Sequence, residues 1–133
     1  MTKPIIALDY DGTIVTNSWP EHGKPLPDAA RSIKKLLNDF DIIIHTCRIA
    51  PYGVHGEKRS PIDVAKEVKA IDRKLKSMGL PTMEIHQDPW KPGADIYLDD
   101  KAMRFHNWHD ANRQIEHWKI AALFTKAMEA QLA

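Results

Sequence analysis

Apolar residues fall along this chain in two rhythms. Short runs of apolar or β-branched residues, bounded by charge or turn residues, lie at Pro4 to Asp9, Asp41 to His45, Met83 to His86 and Asp95 to Leu98. Runs of that length read as strands buried on both faces of a parallel sheet. Between them the spacing lengthens to a helical one. Ala29, Ile33, Leu36, Leu37 and Phe40 make one stripe over residues 28–40, with lysines opposite, and Ile62, Ala65, Val68, Leu75 and Met78 make another over 61–78. Ser60, Pro61 and Asp63 spell a capped helix start, and Gly79 a stop. A last helix is predicted from about Asp110 to the C-terminus, turning Ile115, Trp118, Ala122 and Leu123 or Phe124 inward.

Strands alternating with helices in this order predict a doubly wound, mostly parallel, Rossmann-like sheet in a three-layer α/β/α sandwich with right-handed crossovers. Two connections exceed what joining requires, Gly12 to Pro27 and Ile49 to Ser60. Loops of that size in a compact domain are usually functional or mobile, and both follow strands that carry candidate site residues.

Composition narrows the class without changing the fold. The 133 residues read as one domain over 1–133, able to bury about two thirds of its unfolded surface without a disulfide or structural metal. Nineteen basic against eighteen acidic residues leave a formal charge of +1, which argues against a strong nucleic-acid footprint or a polybasic membrane anchor. Cys47 is the sole cysteine, so no disulfide framework arises within the chain and a reducing compartment is expected. The first apolar run breaks at Asp9, too early for a signal-peptide core, and no apolar stretch approaches a membrane span. These features read as a cytoplasmic, soluble protein with no membrane partner.

The chemistry gathers at strand ends. Asp9 and Asp11 close the first strand, Thr46 follows the second, and Asp99 with Asp100 closes the fourth. In a parallel sheet these ends share one edge, where open α/β sheets bind ligands. Adjacent carboxylates repel unless a cation or protons neutralise them. Magnesium suits an oxygen-only set, with Asp9, Asp99 and the backbone carbonyl of Asp11 as ligands, whereas the scarcity of histidine in that set disfavours zinc. Gly12 lets the backbone turn sharply beside the acids, and Thr13 adds a hydroxyl.

With these residues in place, the chain resembles the haloacid dehalogenase superfamily of phosphohydrolases. DYDGT is similar to its first motif, the strand IIIHT ending in Thr46 to its second, Lys91 of DPWKPGAD to its third and IYLDD to its fourth, in the family's order from about residue 5 to residue 100. The resemblance implies that Asp9 is the nucleophile, forming an aspartyl phosphate, and Asp11 the general acid and then base. It implies further that Thr46, Lys91 and Gly12 sit on the phosphate side, that Asp99 ligates magnesium directly, and that Asp100 does so through water or by fixing the shell. Lys101 rivals Lys91 for the phosphate-side lysine. No segment is long enough for a cap domain, so a capless member is expected, its open site covered by a large substrate, by the two loops, or by a neighbouring subunit in a homo-oligomer. The implied substrate is a phosphorylated small molecule or a phosphorylated nucleic-acid end.

Plainer readings stand beside these. Arg48 serves equally as a substrate contact or as the partner of a surface acid. Cys47 reads as a buried, inert thiol. His106, His109 and His117 are not all on one helical face, and read as surface or packing residues rather than a zinc site. Trp19, Trp90 and Trp108 fit either the rim of the mouth or burial under loops. Two rival functions are a receiver-type phosphoacceptor module, which would lack a general acid two residues after its nucleophile, and a degenerate binding domain, which would have lost motif residues.

Overall fold

Strand β1 (Ile5–Leu8) is buried along Ile6, Ala7 and Leu8, and has a neighbour on each side. A computed structural model describes residues 2–53 and 55–132 of the chain. The element order is β1, α1 (Ala29–Leu36), β2 (Asp41–Ile44), a 3-10 turn (Cys47–Ile49), α2 (Pro61–Ser77), β3 (Glu84–Ile85), β4 (Ile96–Leu98) and α3 (Trp108–Leu132). Two compact units result, Met1–Asp100 and Lys101–Ala133.

In the first unit all strand pairings are parallel, and the order across the sheet is β3-β2-β1-β4. The register pairs Leu8 with Ile44 on one side and Leu98 on the other, and Ile44 with Ile85. The chain moves outward from β1 through β2 to β3 and then returns to the opposite side of β1 for β4. The order therefore reverses between β1 and β4, which puts a crevice beyond the carboxyl ends of those two strands. This is the α/β pattern of a parallel sheet with helices that the alternation of runs predicts.

One apolar core unites sheet and helices in this unit. Ile6, Leu8, Ile42 and Ile44 from the strands meet Ile33 of α1 and Ile71 and Leu75 of α2, with Val68 and Met78 packed against them. The capped start of α2 forms as its sequence dictates, the Asp63 N–H donating to Ser60 Oγ at 3.1 Å. At its other end Gly79 takes φ +78°, and the Leu80 N–H returns to the Leu75 carbonyl.

Three expectations differ from the structure. Strand β4 is not buried on both faces, because Ile96, Tyr97 and Leu98 are all exposed on a strand with β1 as its one neighbour. Cys47 is exposed rather than buried, since it opens the 3-10 turn whose next two residues, Arg48 and Ile49, take the interior positions. In the second unit α3 starts two residues earlier than expected, and Ile115, Trp118, Leu123 and Phe124 are exposed, none of its described residues being buried. At 3.6 residues per turn Ile115, Trp118 and Ala122 share one side, but Leu123 and Phe124 carry apolar surface round to the other, so the pattern marks out no single face for burial.

Candidate functional site

Register alone builds the site's first row. The residue after each strand continues its ladder: the Asp9 N–H donates to Leu98 O at 3.0 Å, the His45 N–H to Leu8 O at 2.9 Å, and the His86 N–H to Ile44 O at 2.9 Å. His86, His45, Asp9 and Asp99 thus stand side by side across the carboxyl edge, separated by roughly one strand spacing of about 4.8 Å each. Two members of this row, Asp9 and Asp99, join Asp100 in a cluster whose carboxylate oxygens lie within 4.8 Å of one another. Residues ninety positions apart in sequence meet here.

Within that cluster, burial and the neighbouring carboxylates raise the proton affinity of Asp9. Burial, followed by the nearby Asp99 and Asp100 charges and a hydrogen bond with Asp100, pushes the Asp9 carboxyl up to about 6, against a backbone hydrogen bond at Tyr10 that works the other way. Thr13 Oγ1 donates to Asp9 Oδ2 at 3.4 Å. Gly12 has φ +81°, and a Cβ at this position would run into the Asp100 carboxylate. A side chain would fill the space that the Asp100 carboxylate occupies. Three hard oxygen donors and a backbone turn that leaves them room fit a divalent ion such as Mg²⁺.

Asp11 faces a different partner. Arg48, fully buried, donates from Nε to Asp11 Oδ2 and from Nη2 to Asp11 Oδ1, both at 2.7 Å. The same guanidinium donates to Pro20 O and Glu21 O at 2.9 and 2.7 Å, and lies 4.7 Å from the ring centre of Trp19. Burial alone would lower the Arg48 pKa, but the Asp11 carboxylate, with Glu67 and Tyr10, keeps it above its ordinary value. Arg48 thereby ties the 12–27 loop to the carboxyl end of β1. The loop is further closed by Tyr10 Oη, 2.8 Å from His22 Nδ1, with His22 Nε2 3.3 Å from Glu67 of α2. The buried Tyr10 hydroxyl is pushed up to about 12 by its burial in this network.

Thr46 is buried beside the row, its hydroxyl accepting from the Arg48 N–H at 3.2 Å and capping the 3-10 turn. Lys91 is exposed, with its ammonium 4.0 Å from the centre of the Tyr97 ring, on β4. Lys101 opens the second unit. Trp19, Trp90 and Trp108 are exposed rather than buried. In the 49–60 loop, whose Val54 lies outside the described residues, Arg59 NH1 donates to Cys47 O and Ala50 O.

Two residues of the row carry no sequence expectation. His45 and His86 meet edge to face at 6.0 Å between ring centres. Their signal was positional: each is the first residue past its strand, as Asp9 and Asp99 are. Partial desolvation of its ring, then the neighbouring His86 and Lys91, press the His45 pKa below its usual value, opposed by Asp99.

No family model and no curated protein matches this chain. Among solved structures it is similar to a conserved protein from Bacteroides thetaiotaomicron, at 19% identity and a TM-score of 0.53, covering 87% of this chain and 92% of that one. That likeness extends the α/β fold to a second sequence.

Proposed function

We propose that the chain is a magnesium-dependent phosphomonoester hydrolase of the haloacid dehalogenase type, a capless three-layer α/β/α domain working through an aspartyl phosphate on Asp9. The observation that carries this reading is the convergence of Asp9, Asp99 and Asp100 at the point where the strand order reverses. A bound divalent ion there would neutralise the carboxylates and the phosphate charge that otherwise keep an anionic nucleophile from an anionic ester.

Asp9, Asp99 and Asp100 would hold that ion, with the Asp11 carbonyl as a further oxygen. An Asp9 oxygen attacks phosphorus, the bond from phosphorus to the leaving oxygen breaks, and Asp11 gives that oxygen its proton. Asp11 then takes a proton from water, whose oxygen attacks the phosphorus and releases Asp9 and inorganic phosphate. Thr46, Lys91 and the Gly12 turn belong to the phosphate side. Arg48 acts through Asp11 rather than on phosphate: its forked pair engages both carboxylate oxygens, so Asp11 must release one of them to carry a proton.

One observation favours a second reading. The Arg48 fork that holds Asp11 would, if it never opened, slow the water-dependent half-reaction and leave a long-lived phosphoaspartate, as in a phosphoacceptor module. Incubation with magnesium and p-nitrophenyl phosphate separates the readings. The hydrolase gives continuous turnover that Asp9→Asn abolishes. A single stoichiometric burst points to the phosphoacceptor, and equal turnover in wild type and Asp9→Asn removes Asp9 from the chemistry.

A further inference from the structure

We propose that His45 and His86 form a hydroxyl-binding shelf beside the acid cluster, selecting phosphomonoesters whose leaving group carries hydroxyls within a few bonds of the ester oxygen, as sugar and nucleoside phosphates do. The inference rests on the phosphatase reading above and names its substrate class. Its basis is the row across the carboxyl edge, in which the two imidazoles continue the line that begins with Asp99 and Asp9. At one strand spacing per step, His45 lies about 5 Å and His86 about 10 Å along the edge from the nucleophile. A leaving group extending from a phosphoryl group at Asp9 towards β3 meets them in that order. His45 is exposed and His86 half-buried, so the shelf is open to a ligand.

The hydrogen-bonding character of the pair identifies the chemistry. His86 Nε2 contacts the Trp90 carbonyl, which only accepts, so Nε2 carries a proton and Nδ1 is the nitrogen left to meet a ligand. His45 as a neutral imidazole offers one donor and one acceptor, and neutral imidazole prevails above its ordinary pKa of about 6.5. A second phosphate or carboxylate only accepts, and can meet only the donor side of the His45 ring. An alkyl chain has nothing to offer either ring. A hydroxyl both donates and accepts, and matches both.

Steady-state kinetics with magnesium on three substrates tests this: ribose 5-phosphate, adenosine 5′-monophosphate and n-pentyl phosphate, which has no hydroxyl. The expected kcat/KM is at least tenfold higher for one or both hydroxylated esters than for the pentyl ester, and the better of the two separates free sugars from nucleosides as the source. His45→Phe and His86→Gln should pull that ratio towards one. Equal kcat/KM for all three esters in wild type, or a ratio unchanged in both folded variants, overturns the shelf while leaving the phosphatase standing. Hydrolysis of none of the three, nor of p-nitrophenyl phosphate, overturns the phosphatase and the shelf with it.

Discussion

At the scale of single residues, Gly12 and Asp9 illustrate how a few atoms commit the backbone to a function. Gly12 is needed twice over, for its left-handed φ of +81° and for the space its missing Cβ leaves to Asp100. Gly12→Ala is expected to cost about 1–2 kcal/mol from backbone strain alone. It should also weaken magnesium binding by displacing Asp100; urea denaturation and a magnesium titration measure the two effects separately. Asp9 supplies a pH signature. Its pKa in the folded, metal-free protein, about 6, stands above its ordinary 3.8, so the folded state binds more protons than the unfolded one between these values. Metal-free stability should therefore be highest below that window and fall as pH rises through it. Asp9→Asn should flatten that slope, and saturating magnesium should remove it in wild type, both readable as Tm against pH. Sequence made the acids legible because charge at the end of an apolar run has few structural uses. It hid the shelf, because His45 and His86 acquire meaning only once register sets them beside Asp9, and register is not written in either strand by itself.

Among elements, the 3-10 turn after β2 matters most to the site. It turns Arg48 into the interior, where one guanidinium joins the end of β1 to the 12–27 loop through Asp11, Pro20 and Glu21. Removing one partner of a buried, forked pair leaves an uncompensated charge and orphaned carbonyls. Arg48→Met is therefore expected to destabilise the protein by about 3–5 kcal/mol, and Asp11→Leu in the same chain should recover part of that loss, as a double-mutant cycle would measure. Arg48→Lys should rescue little, since an ammonium cannot span both oxygens while also reaching two carbonyls. The main strands and the helices over 29–36 and 61–77 were legible from periodicity and caps, within a few residues at their ends. Helix α3 was legible as a helix and not as a face, because its apolar residues encircle it. Cys47 and Arg48 were misjudged or left open for one reason: a single 3-10 turn decides which of two neighbours goes inward, and although Thr46 caps it, three residues are too few to show a period.

For the whole molecule, the order β3-β2-β1-β4 turns local features into a site. Had β4 joined the sheet beyond β3, Asp99 would stand three strands from Asp9, roughly 14 Å away at one strand spacing each, and no ion would bridge them. The alternation of runs predicts a parallel sheet with its strand ends on one edge but does not say on which side of β1 the last strand adds, and only the fold supplies that order. Among the described residues no helix is long and apolar enough to cross a membrane. A metal held by this cluster would be linked to folding, because the three carboxylates come together only in the folded chain. Magnesium at a hundred times its dissociation constant should stabilise the protein by about 2.7 kcal/mol. The most direct test of the account is isothermal titration calorimetry of magnesium into wild type and Asp99→Asn at pH 7.5. One ion per wild-type chain and an affinity at least tenfold weaker in the variant are expected; equal affinity in the two, or no binding to wild type, would rule out the shared metal site.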